Sequence, residues 1–326
     1  MRMGANETFP DWILRITEEI WEGRGLGPRM KDYYGADCLV RTPMGFSRGE
    51  PAMTAATMAT MNEMPDRQLL GEDVIWCEGL RGGMLSSHRN CSIGTHSGAG
   101  LFADAGTGRA VKFRAIADCW AEDGQITDEW LVRDNGAVLR QIGVEPSEWA
   151  ARAVASGRRA FHPSMDEAGP YEGRGNDSEW GARYADLLTR IMAGELSVIP
   201  SDWDRACHCE YPGGVTAHGW ADADRFWLPL RASFPDARFE VHHAMGLEEP
   251  TMPPRAAVRW SLTGPHSGWG AFGVPSGAEV HVMGISHVEF GPFRAGRHRP
   301  GEWSIRRESV LIDEAAIWMQ IRAATG

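Results

Sequence analysis

Trp12, Ile13, Ile16 and Ile20 recur at helical spacing near the start of the chain, and Trp180, Tyr184, Leu187, Leu188 and Ile191 do the same far downstream. Each pattern predicts a helix with one buried stripe. After each comes a turn-rich stretch, Pro43-Met44-Gly45 in one case and Pro212-Gly213-Gly214 in the other. A further helix is expected near Glu50–Met64 and Ala221–Ser233, stopped by Pro65 and Pro235. Beyond these prolines the period changes to two. Ala110–Trp120 and Val280–Phe290 alternate, so Lys112, Arg114, Ile116 and Asp118 share one face of a strand, and His281, Met283, Ile285 and His287 share the matching face of another. Asp123-Gly124 has the composition of a hairpin turn, returning the chain as a last strand over Gln125–Val132.

The same order of elements thus occurs twice, and the letters agree with it. Thr95-His96-Ser97-Gly98-Ala99-Gly100 reads like Pro265-His266-Ser267-Gly268-Trp269-Gly270. The offset of 170 between His96 and His266 also relates Arg89 to Arg259 and Gly49 to Gly219, and Gly108 precedes Gly277 by 169. Ile126, Glu129, Asp134 and Gln141 match Ile305, Glu308, Asp313 and Gln320 at a constant 179, which implies an insertion before the last strand of the second copy, assigned to Phe293–Gly301. A repeat that holds its register this far is a duplicated unit. The expectation is an α+β chain of two tandem domains, each a helical N-terminal part followed by a curved antiparallel sheet. Copy one spans 1–150, a Gly-, Pro- and charge-rich linker 151–176, and copy two 177–326.

Length agrees, since 326 residues exceed what one core usually organises. Acidic residues outnumber basic ones for a formal charge of −11, without a basic run to meet a phosphate backbone, so nucleic acid is not an expected partner. No apolar stretch reaches membrane-spanning length, the N-terminus lacks a secretory pattern, and six cysteines form no dense framework. A reduced, cytoplasmic setting away from membranes is expected. The 14 tryptophans suit cores or apolar pockets.

Arg89…His96-Ser97-Gly98, Gly108-Arg109-Ala110-Val111 and above all the run Asp123-Gly124-Gln125-Ile126-Thr127-Asp128-Glu129-Trp130…Asp134…Leu139-Arg140-Gln141-Ile142-Gly143 resemble the SnoaL-like polyketide cyclase branch of the nuclear transport factor 2-like superfamily. The likeness covers most of 8–145 and, less closely, 178–323; copy two departs at Ser309 in place of Trp130, at the lost Asp-Gly turn and at Arg322. The resemblance implies a pair of cone-shaped α+β barrels of the cystatin-like kind, each sheet wrapped around helices and a deep, mostly apolar cavity. It also implies pairing of the two copies through their outer sheet faces as an intrachain pseudo-dimer. Because this superfamily hosts many chemistries and many plain binders, the fold selects no reaction.

On that frame Asp118 is the expected acid/base, a carboxyl whose pKa an apolar cavity would raise, with His96 and His88 assisting. Arg114, Trp130, Asp134 and Trp76 are expected substrate contacts, and His287, His266 and His281 the polar groups of a second pocket, His287 standing where Asp118 stands. Structural readings compete: Asp118 paired with Arg114 or Lys112, His96 and His266 fixing their Ser-Gly turns, and Arg89 and Arg259 pairing with Glu129 and Glu308. His88 is specific to copy one, its counterpart being Val258. Eight of eleven histidines fall in copy two near Cys207-His208-Cys209, but the spacing forms no zinc motif, so no metal is expected. No nucleophile elbow, phosphate loop or dinucleotide fingerprint is present, and no cofactor is expected. The functional expectation is cofactor-free proton transfer, by a cyclase, isomerase or lyase, on a small apolar or amphipathic carbonyl compound. The rivals are a binder of a hydrophobic metabolite and an interaction module whose cavity is filled by its own tryptophans.

Overall fold

The computed structural model describes residues 3–4, 7–79, 82–292 and 303–326, so the insertion expected at Phe293–Gly301 lies outside the described residues. Copy one opens with α1 (Phe9–Thr17), begun by a reciprocal capping box in which Asp11 N–H donates to Thr8 Oγ1 at 3.3 Å and Thr8 N–H to the Asp11 carboxylate at 3.4 Å. A π turn at Glu18–Glu22 continues it, and α2 (Pro28–Tyr33) leads into β1 (Tyr34–Thr42) and β2 (Gly45–Arg48). Then come α3 (Glu50–Glu63), β3 (Gln68–Glu78), β4 (Met84–His96), β5 (Arg109–Glu122) and β6 (Gln125–Arg133). Asp123 and Gly124, at φ 51° and 78°, make the tight turn between β5 and β6 as expected. Two helices follow that the sequence pattern did not reveal, α4 (Asn135–Gln141) and α5 (Pro146–Ala155), the latter running through the boundary expected at 150.

Copy two repeats the order with α6 (Glu179–Met192), α7 (Val198–Asp202), β7 (Trp203–Tyr211), β8 (Val215–His218), α8 (Gly219–Ser233), β9 (Arg238–Leu247), β10 (Arg255–Pro265), β11 (Glu279–Pro292), β12 (Trp303–Ile312) and α9 (Glu314–Thr325). Each copy folds one six-stranded sheet, ordered β2-β1-β6-β5-β4-β3 and β8-β7-β12-β11-β10-β9. Among the described residues the pairings are antiparallel except β1–β6 and β7–β12, where the first strand closes in parallel against the last and lets the helices cross the concave face. The chain is therefore a tandem α+β arrangement of two curved-sheet units.

Two kinds of core result. On the concave side of the first sheet Phe9, Trp12, Ile13, Ile16 and Ile20 pack against Ala117, Cys119 and Ala121; small residues on β5 let the helix lie close. On the convex side the sheets face one another: Ile116, Trp130 and Val132 meet Met283, Ile285 and Leu311, and Ile75, Leu85 and Trp120 meet Met245 and Ala257. At one end of the contact α5 packs on α9. One polar contact across this boundary comes as an exchanged pair. Arg259 Nε donates to Asp118 at 3.1 Å while Arg89 approaches His287 at 3.4 Å, and Asp118 and His287 are equivalent positions. Asn135 donates to Asp313 at 2.6 Å, and Asp134 accepts from the Gly213 and Gly214 N–H groups at 2.9 Å each. The exchange of Arg259–Asp118 for Arg89–His287 is what two copies related by a two-fold axis produce, whereas the Asp134 and Asn135 contacts have no such counterpart among the described residues.

Candidate functional site

The alternation on β5 was read with the correct period and the wrong face. Asp118, fully buried, points out of its own cone into the boundary between the sheets, where it accepts from His243 and Arg259 of copy two. Burial alone would raise its pKa, but the His243 and Arg259 contacts hold the carboxyl below its ordinary value, the opposite of what a neutral-pH base needs. Arg114 shares that face and pairs with Glu72 at 2.9 Å and with Glu210 of copy two at 2.7 Å. Trp130 lies there too, with the Arg259 guanidinium 3.7 Å and the Arg41 guanidinium 4.5 Å from its rings. Asp134 caps α4 and ties it to copy two, and Trp76 packs edge-on against Phe9 at 6.0 Å. His287 bonds Ser87 of copy one at 2.7 Å.

His96 and His266 sit at the bases of their β4–β5 and β10–β11 hairpins. His96 Nδ1 lies 3.1 Å from Thr107 Oγ1 and accepts from the Thr107 N–H at 3.2 Å, and His266 Nδ1 lies 3.0 Å from Ser276 Oγ. Both hold turns rather than face a cavity. The pairing of Arg89 with Glu129 and of Arg259 with Glu308 does not occur, because β5 or β11 separates the strands and the side chains point to opposite faces; Arg89 pairs with Glu72 at 2.8 Å.

The concave interior of copy one is instead lined by residues alternating with the expected ones. β4 contributes His88 and Asn90, β5 Ala115, Ala117 and Cys119, and β6 Glu129, Leu131 and Arg133, while Tyr34 begins β1 and Arg67 enters from the turn ahead of β3. Of the predicted catalytic residues, His88 alone faces this space. The cavity is narrow, about 40 Å³, and its mostly apolar lining, which includes Ile13, Ile16 and Ile126, also carries the charged groups Glu129, Arg67 and Arg133. Four of its polar atoms are buried without a hydrogen-bond partner: Trp21 Nε1, Arg67 Nε, Asn90 Oδ1 and Arg133 Nε. Orphaned polar groups are uncommon in folded proteins, and four around one hollow mark a place built for something else to complete. Burial raises the Glu129 carboxyl to about 7, against the Arg133 charge and a Tyr34 hydrogen bond that lower it. Burial also lowers His88 to about 4, leaving a neutral imidazole at physiological pH.

The matching interior of copy two has been closed. His88, Asn90, Arg133 and Tyr34 correspond to Val258, Trp260, Ile312 and Trp203, and Ala237 lies against Gly264 as Arg67 lies against Gly94. Glu308, the counterpart of Glu129, remains but is saturated: Tyr184, Tyr211, Trp203 and Trp227 donate to it at 3.0, 2.6, 3.2 and 3.4 Å. These rings form one apolar core with Trp260. The two hollow cones expected from the resemblance are thus one narrow cavity and one filled core, and His281, expected in a second pocket, lies elsewhere. It lines a cleft of about 540 Å³ between the convex face of the second sheet and the linker, together with Trp130, Phe161, Tyr171, His242 and Arg259. That cleft is wide, and several of its polar groups are paired with one another. Arg41 pairs with Asp128 and Asp166, Arg259 with Asp118, His242 contacts Ser261 at 2.8 Å, and His281 contacts Thr263 at 2.8 Å. Among the described residues no group of three His, Cys, Asp or Glu side chains is placed to hold a metal ion, and no helix is long and apolar enough to cross a membrane.

Comparison with known proteins finds one family match and distant solved structures. Residues 182–298 match the family described as SnoaL-like domain, so the recognised segment is copy two, although the motifs quoted above are more complete in copy one. Among solved structures, IdmH from Streptomyces antibioticus is 21% identical over 41% of this chain and 98% of its own, with a TM-score of 0.36. TsrD from Streptomyces laurentii is 21% identical over 42% of this chain and 98% of its own, with a TM-score of 0.35. A SnoaL-like polyketide cyclase from Agrobacterium tumefaciens is 19% identical over 42% of this chain and 99% of its own, with a TM-score of 0.33. No curated protein matches.

Proposed function

We propose that this chain, whose residues 182–298 are a SnoaL-like domain, is a cofactor-free acid–base enzyme working in the cavity of copy one, with copy two as its structural partner. One observation carries the reading: a carboxyl titrating near neutrality shares a narrow cavity with four unsatisfied polar atoms, while the repeat of that cavity is filled. Glu129 then removes a proton from the carbon next to a substrate carbonyl. The C–H electron pair moves onto the carbonyl oxygen, and the positive field of the Arg67 and Arg133 guanidiniums stabilises the charge it gains. Neutral His88 serves as a hydrogen-bond donor to that oxygen, and protonated Glu129 returns its proton at another atom to complete an isomerisation, cyclisation or elimination. A pKa near 7 suits both halves of this task.

The test needs no knowledge of the natural substrate. Exchange of carbon-bound hydrogen for deuterium in acetone and pyruvate, followed by NMR in D2O, should be faster with the protein than without it and should rise with pH through about 7 as Glu129 ionises. Glu129→Gln should slow the exchange by about 10²-fold or more. The same substitution has a stability signature. The folded-state pKa is raised, so the ionisable group favours folding below its ordinary pKa and forfeits that stability as pH rises through about 7. Glu129→Gln should therefore melt higher than wild type at pH 8 and alike near pH 4. Equal exchange in wild type and Glu129→Gln would leave copy one as a binding pocket without proton transfer.

A further inference from the structure

Two guanidinium groups face the first cavity, where, among the described residues, Glu129 is the one carboxyl that shares it with them. Arg67 and Arg133 each bury an Nε without a hydrogen-bond partner, and among the described residues neither forms an ion pair. Other enclosed arginines of this molecule do: Arg89 with Glu72, Arg114 with Glu72 and Glu210, Arg255 with Asp73, and Arg259 with Asp118. The exception is thus local to the hollow. Burial and the Arg133 charge lower Arg67 to about 9, and burial lowers Arg133 against the opposing charge of Glu129. Glu129, half ionised near neutral pH, cannot balance both. Like charges desolvated together cost free energy unless a counter-charge joins them, and the planar guanidinium fork is matched to a carboxylate. The other unpaired groups complete the outline, since Trp21 Nε1 seeks an acceptor and Asn90 Oδ1 seeks a donor. A cavity of about 40 Å³ admits only a few heavy atoms.

We propose that the ligand of the copy-one cavity is a small carboxylic acid bound as its anion, the carboxylate lying between Arg67 and Arg133 and a hydroxyl or enol O–H donating to Asn90. This rests on the catalytic reading only in taking the same cavity as the site, and it assigns the substrate class within that reading.

Fluoroacetate and fluoroacetamide form a probe pair of nearly equal size, one an anion and the other neutral, both followed by 19F NMR titration. Fluoroacetate should bind at least about tenfold more tightly, as expected where charge-assisted hydrogen bonds replace neutral ones, and its affinity should fall with added salt. Arg67→Met and Arg133→Met, which keep an unbranched stem out to about the Nε position and remove the charge, should each abolish the preference while raising the melting temperature of the unliganded protein. Glycolate should displace fluoroacetate better than acetate does, and Asn90→Leu should erase that difference. Equal binding of the two probes, or a preference for fluoroacetate that survives both arginine substitutions, would overturn the assignment. The two proposals fail separately: Glu129→Gln with unchanged acetone exchange refutes the base, and Arg133→Met with unchanged carboxylate preference refutes the anion site.

Discussion

Asp118→Ala should lower the unfolding free energy by about 3–5 kcal/mol, since removing one member of a buried charge pair strands the others. The stranded groups are Arg259, whose Nε donates to Asp118, and His243, which donates to the same carboxylate oxygen. Urea or thermal unfolding measures the loss, expected to be on the order of 10 °C in melting temperature. The sign with pH is fixed by the lowered pKa of Asp118: its contribution is present above the ordinary carboxylate value and disappears as pH falls through the lower folded-state value. Wild type and Asp118→Ala should therefore converge in acid. Below its melting temperature the variant should still exchange acetone hydrogens, because Asp118 does not line the copy-one cavity. A variant that melted like wild type but lost exchange would restore Asp118 as the base and remove Glu129 from that role.

Filling the first cavity with the solution used by the second should abolish ligand binding. Trp260 occupies the place of Asn90, donates from Nε1 to Ser286 Oγ at 2.9 Å, and packs on Gly284, where a Cβ would come within 2.3 Å of its ring. The corresponding residues of copy one are Ala117 and Ala115, opposite His88 and Asn90 on β4. Asn90→Trp alone should cost about 1–3 kcal/mol through overpacking against Ala115. The triple variant Asn90→Trp, Ala115→Gly, Ala117→Ser should recover that loss, remove the unpaired Asn90 oxygen, and bind fluoroacetate at least about 10²-fold more weakly, the factor that loss of the whole site implies. Retained binding in a stable triple variant would place the ligand elsewhere, in the wide cleft beside the linker or in the hollow of about 270 Å³ lined by Glu72, Arg89 and Arg114.

Much of the fold could be read from letters because each half repeats the other and each element keeps its period. The α1 and α6 stripes, the β5 and β11 alternation and the Asp123-Gly124 turn are local signals, and the structure has all of them. The choice of face on β5 was not legible. Residues 115–121 are buried on both sides, so no solvent-facing row distinguishes cavity from boundary. Ala115, Ala117 and Cys119 carry little chemistry beside Ile116, Asp118 and Trp120, yet small residues are what a cavity floor under a close helix requires. Glu129 was misassigned for a related reason: pairing it with Arg89 skips the strand between them. Arg67 belongs to no periodic element, and nothing short of coordinates brings it to the end of β6. One sequence signal did point the right way. Polar residues of copy one replaced by apolar ones in copy two, as His88 is by Val258, trace the lining of the surviving cavity.

The reciprocal contacts between convex sheet faces resemble those by which separate subunits associate, but here both partners are on one chain. Association within a chain proceeds at an effective concentration in the millimolar range or above, independent of how much protein is in solution. A site supported by such a partner keeps its support under extreme dilution, and it occurs once per polypeptide rather than twice. The tether also frees each face to diverge without having to match a copy of itself, which is how Arg41 can stack on Trp130 at one end while Glu210 meets Arg114 at the other.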